Sequence, residues 1–286
     1  MSAESNPRFL LETILSKARE ITNSDAGSLY IVEDRAEAPH LRFALAQNDS
    51  VTVPFRTATL PLTGESIVGH VALTGELINV ADAYAPPADA PFAINRRFDE
   101  EAGYRTKSML VVPMRTPQGE TIGALQLINC KSDRDARLRT LEDVERHVRT
   151  YSARHEKLAG SLASQAAVAI YNRRLYLSIR ELFEGFVKAS VTAIEARDPT
   201  TSGHSFRVAD LTVGLAEVVD RCQTGPYREL KFRDDEVMEL RYASLLHDFG
   251  KVGVREHVLV KAKKLYPADL ERIRHRVELL QRGLAL

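Results

Sequence analysis

The hydrophobic positions change period several times along the first half of the chain. Phe9, Leu10, Thr13, Ile14 and Ala18 recur at helical spacing. Ser28–Val32 and Leu41–Leu45 are rich in apolar, β-branched and aromatic residues and read as strands. Leu60-Pro-Leu-Thr-Gly64 leads into a short helix, Ser66–Thr74, which Gly75 closes. Two further apolar runs, Ser108–Met114 and Thr121–Asn129, flank Thr116-Pro-Gln-Gly119, the punctuation of a hairpin between two central strands. Strands of this kind interleaved with helices predict an α+β layer, an antiparallel sheet with helices packed on it.

The texture then changes. From about residue 137 to 197 there is no proline, and Gly160 and Gly185 are the only glycines. Apolar positions step by three and four through His155–Ile170 and on through Leu175, Ile179, Leu182, Phe186 and Ile194. This predicts one long helix, its alanine-rich first turns packed on the sheet and its later turns paired with a second copy as a parallel homodimer. Residues 198–286 read as helices joined by short loops. Asp198-Pro199 breaks the long helix, Thr201 or Ser202 caps the next, Asp234 or Asp235 caps another, and Gly250 terminates it. The boundaries expected are an α+β domain at 8–175, a connecting helix at 176–197 and an all-α domain at 198–286.

Composition narrows the function classes. A chain of 286 residues with 44% hydrophobic residues supports two packed domains. Lysine plus arginine equals aspartate plus glutamate, 39 each, which leaves no electrostatic case for nucleic acid or an anionic membrane as partner. Cys130 and Cys222 are far apart and form no CxxC pair, so a disulfide framework or a thiolate zinc site is not expected. No apolar run reaches the roughly 20 residues of a membrane span, and Met1–Asn6 is too short and polar for a signal peptide. The expected location is cytoplasmic.

The chemistry is concentrated late in the chain. His204 falls in the first turn of one predicted helix, and His247-Asp248 at the end of another. Asp248 follows Leu245-Leu246, which pulls it toward a core that penalises a bare carboxylate, and a metal offsets that cost. Histidine with carboxylate suits iron, manganese or zinc, and a carboxylate can bridge two such ions. Lys251, one turn on, can face a phosphate oxygen. His40, His70, His147, His155 and His257 show no ligand spacing and read as structural or exposed.

Four segments, Asn23-Ser-Asp-Ala-Gly-Ser-Leu-Tyr30, Gly64–Gly69, Phe98–Leu110 and Gly119–Asn129, together resemble a GAF domain in order and spacing. The resemblance implies an antiparallel sheet with a small-molecule pocket on one face, for ligands that include cyclic nucleotides and tetrapyrroles. Asn129 matches a ligand-binding position of cyclic-nucleotide members, but Cys130 stands where they carry lysine. The acidic half of that pattern falls either at Leu138 with Glu142 and Asp143 or at Tyr151 with His155 and Glu156, and both depart from it. The family's lysine–aspartate clamp is therefore not expected, and the ligand stays unnamed. Cys130 is placed at the end of a strand at the sheet's edge, as a small packing residue rather than a chromophore attachment point, so the ligand is expected to be held non-covalently.

Ser202-Gly-His-Ser-Phe-Arg-Val-Ala209 and Leu245-Leu-His-Asp-Phe-Gly-Lys-Val-Gly-Val254 resemble the HD superfamily in its HD-GYP branch, extended by Val258–Lys261 and Lys264-Leu265. That resemblance implies a cyclic di-GMP phosphodiesterase with two or three divalent metals, His204, His247 and Asp248 as ligands, and Asp248 and Lys251 as catalytic residues. It covers about 181–286, roughly the first half of such a domain. Arg276 stands where the next metal histidine is expected, and His275 is one residue off, about 100° around a helix. Thr200 replaces the glutamate of three-metal members. The later paired histidines, the last acidic ligand and the Gly-Tyr-Pro segment do not occur before Leu286. The expectation is a signalling protein whose sensor controls a phosphodiesterase module that is inactive in this chain, either as a fragment or as a degenerate domain. The alternative is a sensor and scaffold that binds a partner protein through its helical half. A general nucleotide phosphohydrolase of the wider HD class fits Val252–Leu265 less well.

Overall fold

The computed structural model describes residues 7–33, 39–52, 58–196, 203–255, 258 and 265–284. The proposed helix break at Asp198-Pro199, the caps Thr201 and Ser202, and Thr200, His257, Lys261 and Lys264 lie outside them. The chain forms two compact units, Met1–Leu177 and Ser178–Leu286.

The first unit is built on an antiparallel sheet. Its strands are β1 (Ser24–Glu33), β2 (His40–Asn48), β3 (Thr59–Pro61), β4 (Ile78–Val80), β5 (Met109–Arg115), β6 (Thr121–Lys131) and β7 (Val148–Arg149). Their order is β3-β2-β1-β6-β5-β4, with β7 paired to the end of β6. The side chains alternate as the two-residue period of a strand demands. Leu110, Val112, Leu125 and Leu127 face one layer, whereas Met109, Val111 and Ala124 face the other.

On the first face lie α1 (Pro7–Thr22) and the early turns of α5 (Ala153–Glu195), whose Ala159, Ala163, Ala166 and Ala167 are fully buried. Small side chains let that helix approach the sheet closely. Of the α1 residues at helical spacing, Ile14 and Ala18 turn inward. Leu11 and Leu15 also point in, while Phe9 and Leu10 stay exposed. Across the interface Leu15 and Arg19 pack onto Gly27 of β1, where a Cβ would stand only 3.0–3.2 Å from their side-chain carbons. On the second face sits α2 (Ile67–Thr74), with Ile67, Val68, Val71 and Ala72 buried. Ser66 Oγ accepts the Gly69 amide at 3.0 Å, and Gly75 closes the helix at φ 71°, the left-handed conformation that favours glycine. Two short helices, α3 (Arg97–Ala102) and α4 (Leu141–His147), complete the unit.

Cys130 is not at the sheet's edge. It is the penultimate residue of β6, which lies between β1 and β5, and is buried in the core beneath α1 and α5. The packing role expected of it is what the structure shows.

The second unit holds the last turns of α5, then α6 (His204–Asp220), α7 (Asp234–Leu245), a 3₁₀ turn (Phe249–Gly253) and α8 (Pro267–Leu284). Arg233, not an aspartate, occupies the N-cap of α7. Asp234 and Asp235 fall inside its first turn, where their charge complements the positive helix end. Gly250 lies within the 3₁₀ turn and terminates nothing; α7 closes at Leu246. Val187 and Val191 of α5 are buried against Ala209 of α6 and Leu245 of α7. Ile194 is likewise buried, so it does not belong to the exposed stripe predicted for pairing, whereas Leu175, Ile179, Leu182 and Phe186 are exposed.

At about 1.5–3 kcal/mol per large apolar side chain, this four-residue cluster contributes far less than the twenty-residue cluster of the first unit. No side chain of α8 is buried. No helix among the described residues is long and apolar enough to cross a membrane.

Candidate functional site

Among the described residues, one group of three metal-ligating side chains comes together: His204, His247 and Asp248, with one donor atom of each within 4.8 Å of the others. The small core explains why. Packing of Val187, Val191, Ala209 and Leu245 brings the start of α6 against the end of α7. The rings of His204 and His247 then stand 5.3 Å apart at 64°.

Each group is prepared by its neighbours. His247 Nδ1 lies 2.7 Å from the Ser244 carbonyl, which can only accept, so Nδ1 carries a proton and Nε2 is the nitrogen that bears the lone pair in the neutral ring. Asp248 Oδ2 lies 3.6 Å from that Nε2 and accepts from Lys251 Nζ at 2.7 Å. The Lys251 hydrogen bond holds the Asp248 carboxyl below its ordinary range; burial pushes the other way, and the charge of Lys251, with that of His247 and His204 when protonated, adds to the lowering. The expectation that Asp248 is drawn into a core is not met. Its side chain is 26% exposed and that of His247 35%. Only Leu245 of the preceding pair is buried, and Lys251 rather than burial governs the carboxylate.

These three donors fit one divalent ion of borderline character. They do not fit two, since a pair of ions needs more ligands than the cluster supplies among the described residues. Arg276 and His275 lie on α8 with exposed side chains.

In the first unit, Asn129 is put to a use the sequence did not reveal. Its backbone is left-handed, φ 56°, a conformation asparagine tolerates better than most residues. Its side chain is buried. Oδ1 accepts the Lys107 amide at 2.7 Å, while Nδ2 donates to the Arg105 carbonyl at 2.8 Å and to the Tyr104 hydroxyl at 3.0 Å. The amide therefore pins the segment 104–107 to the end of β6.

Beside it runs a buried charge network. Lys131 Nζ lies 3.0 Å from Asp25 Oδ1, and Asp25 also accepts from the Tyr104 hydroxyl and Ser50 Oγ, each at 2.8 Å. Burial and the charge of Asp25 push the Tyr104 phenol well above its ordinary value, so it remains a donor. A lysine–aspartate pair thus does form, one residue after the position examined in the sequence and with an acid from β1. The two acidic segments weighed for it do other work. Asp143 caps α4 through Thr140, and Glu156 accepts from Asn79 at 2.6 Å. A cleft of about 200 Å³ opens next to the network, lined by Arg19, Asp49, Lys131 and Arg134 among others. Its charges are mutually paired, Arg19 with Asp49 at 2.6 Å and Arg134 with Glu20 at 3.4 Å.

The sequence reading also missed Glu195, whose carboxylate caps α6. Nothing in a carboxylate at the end of a long helix marks it for that role.

Comparison with known proteins bears on the first unit. The GAF domain family model matches residues 6–170. The Dual 3',5'-cyclic-AMP and -GMP phosphodiesterase 11 of Drosophila melanogaster is 34% identical over 139 residues, 43% of this chain and 9% of that protein. The phosphodiesterase 11A of Takifugu rubripes is 34% identical over 125 residues, 42% of this chain and 12% of that protein. The chain thus spans only a small part of the length of these relatives. Among solved structures, the GAF domain/HD domain protein from Geobacter sulfurreducens aligns at 15% identity with a TM-score of 0.43, over 61% of this chain and 97% of that one. A methyl-accepting chemotaxis protein fragment aligns at 20% identity with a TM-score of 0.45, over 60% of this chain and 92% of its own.

Proposed function

Because the chain belongs to the GAF domain family through residues 6–170, we propose that its first unit is a small-molecule sensor and its second an HD-GYP-type output module of the phosphodiesterase class. The observation that carries the second half is the convergence of His204, His247 and Asp248 within 4.8 Å, from segments more than forty residues apart. The two similar phosphodiesterases support a GAF-linked phosphodiesterase as the class. Cyclic di-GMP as substrate rests on the motifs around His204 and His247.

In this reading His204, His247 and Asp248 hold one iron, manganese or zinc ion, which when bound supplies a hydroxide near neutral pH. His247 presents Nε2 because Ser244 holds its other nitrogen. Lys251 keeps Asp248 ionised and offers a cation to a phosphate oxygen. The ligand set among the described residues is one-ion in size, so this chain is expected to bind metal but not to turn over cyclic di-GMP at an appreciable rate. Loss of the second ion's stabilisation of the leaving oxygen costs several kcal/mol, orders of magnitude in rate.

A second reading, a scaffold that docks a partner protein, is favoured by the exposed stripe Leu211, Leu215 and Val218 on α6. One experiment separates the two. Purified chain is titrated with manganese and ferrous iron, and cyclic di-GMP hydrolysis is followed in parallel. Metal binding lost in His204→Ala and Asp248→Asn, without robust turnover, supports the metal-centre reading. Absence of any specific metal binding leaves the scaffold. Robust turnover abolished by Asp248→Asn overturns the claim of an inactive one-ion site.

A further inference from the structure

Glu195, the last residue of α5, grips the start of α6 with both carboxylate oxygens. Oε2 accepts the Gly203 amide at 2.6 Å and Oε1 accepts the Ser205 amide at 2.9 Å. These two donors flank His204. The first N–H groups of a helix have no partner within it, and a serine, threonine or aspartate at the N-cap ordinarily supplies one. Here the N-cap is Gly203, at φ 67°, with no side chain to do so. The cap therefore comes from another helix. Burial pushes the Glu195 carboxyl upward, but the Ser205 and Gly203 hydrogen bonds outweigh it and hold the group below its ordinary value, so the acceptor is ionised.

The first turn of α6 is thus held on two sides. Ser205 and Ala209 are buried against the small core, and Glu195 clamps the peptide groups on either side of His204. Helix starts fray where their N–H groups lack partners. With the clamp in place, the His204 backbone cannot rotate freely, and its Cα–Cβ bond keeps the direction that sets the ring 5.3 Å from His247.

We infer that Glu195 is a positioning residue that holds His204 in register with His247 and Asp248. This rests on the metal-centre reading given above. It also adds a route for control of the site. Glu195 closes α5, the same continuous helix that begins at Ala153. A slide or rotation of α5 at Glu195 carries His204 with it. His247 and Asp248 sit at the end of α7, whose Leu245 packs on Val187 and Val191 of the same helix, so α5 supports both sides of the cluster.

The test uses the full chain and cobalt(II) as the metal probe, with His204→Ala, Glu195→Ala and Glu195→Gln. Cobalt affinity is read from its visible absorption. The spacing of the His204 and His247 rings is read separately, by proton NMR cross-relaxation in metal-free protein. Glu195→Ala is expected to weaken cobalt binding about tenfold or more, as loss of a group that orients a ligand does, and to remove the ring-to-ring signal. Glu195→Gln keeps one acceptor oxygen but turns an amide donor toward the second N–H, so it should fall between wild type and Glu195→Ala. Circular dichroism identifies any variant that loses helix, and Glu195→Gln, close in volume, keeps the comparison valid if Glu195→Ala unfolds. Unchanged affinity and an unchanged ring signal in Glu195→Ala overturn the inference, as does a glutamine variant no better than the alanine one. Absence of cobalt binding in wild type, with the ring signal still lost in Glu195→Ala, sinks the metal reading alone and supports the positioning role.

Discussion

Lys131 Nζ lies 3.0 Å from Asp25 Oδ1, and the two side chains are 1% and 0% exposed. The pair sits where β1 and β6 run side by side at the end of the sheet. Lys131 also donates to the Ala136 carbonyl at 2.9 Å, and so fastens the loop that follows β6. A charge taken out of water needs its partner, and removing one member of a buried pair leaves the other uncompensated. Lys131→Met is therefore expected to destabilise the protein by about 3–5 kcal/mol. Lys131→Met with Asp25→Asn should cost clearly less than the sum of the single changes, because the stranded charge is gone and one of the Ser50 and Tyr104 hydroxyls, which donate to different Asp25 oxygens, keeps an acceptor. Urea denaturation of the four proteins measures this. Strict additivity would show that the two groups are not coupled.

Asn129 gives a second test, because backbone and side chain make separate demands there. Asn129→Gly suits the left-handed backbone but loses three hydrogen bonds. Asn129→Ala loses the same bonds and adds strain of about 1–2 kcal/mol. Both variants should be destabilised, alanine more than glycine by about that amount, with melting temperature as the readout. Equal stability of all three proteins would return Asn129 to the role of an uncommitted, ligand-facing side chain.

Cys130 should behave as packing material. Its thiol is buried in the core and donates to the Thr22 carbonyl at 3.3 Å, and burial pushes its pKa from 9.0 to about 11. At pH 8, iodoacetamide should label Cys222, which is partly exposed, well before Cys130. Mass spectrometry of the freshly purified chain should show no covalent adduct on Cys130. The pH dependence has a definite sign. The folded value lies above the unfolded one, so the contribution of this thiol is fully present below about pH 9 and is lost as pH rises toward about 11. Cys130→Ala should remove that part of the decline in denaturant midpoint. A midpoint slope identical in both proteins would refute the buried-thiol account.

The exposed stripe Leu175, Ile179, Leu182 and Phe186 repeats at steps of four, three and four, the seam of a two-stranded coiled coil. A parallel homodimer in solution is the expected result by light scattering. Leu182→Glu should shift it toward monomer at micromolar concentration, since Leu182 is 74% exposed and has no buried role to lose in its own chain. A wild-type monomer unaffected by that change would remove the dimer proposal.

Which parts of this protein were legible in advance follows from the range of the forces involved. Local periodicity and turn chemistry act over a few residues. For that reason the strands around Leu29 and Leu125, the hairpin turn at Gly119, and the helix closed by Ser66 and Gly75 could be read directly. The same holds for the residue types at His204, His247 and Asp248, whose spacing along the chain carries a motif. Contacts between distant segments leave no such mark. Gly27 receives Leu15 and Arg19 of α1 at close range, and Ser50 and Tyr104 join the Lys131–Asp25 pair from remote loops. Glu195 caps a helix that begins nine residues later. Val187 and Val191 lie on the long helix with the same period as its exposed neighbours, and only packing against Ala209 and Leu245 separates buried from free. A sequence records which groups can be buried or charged; which of them meet depends on how the layers stack.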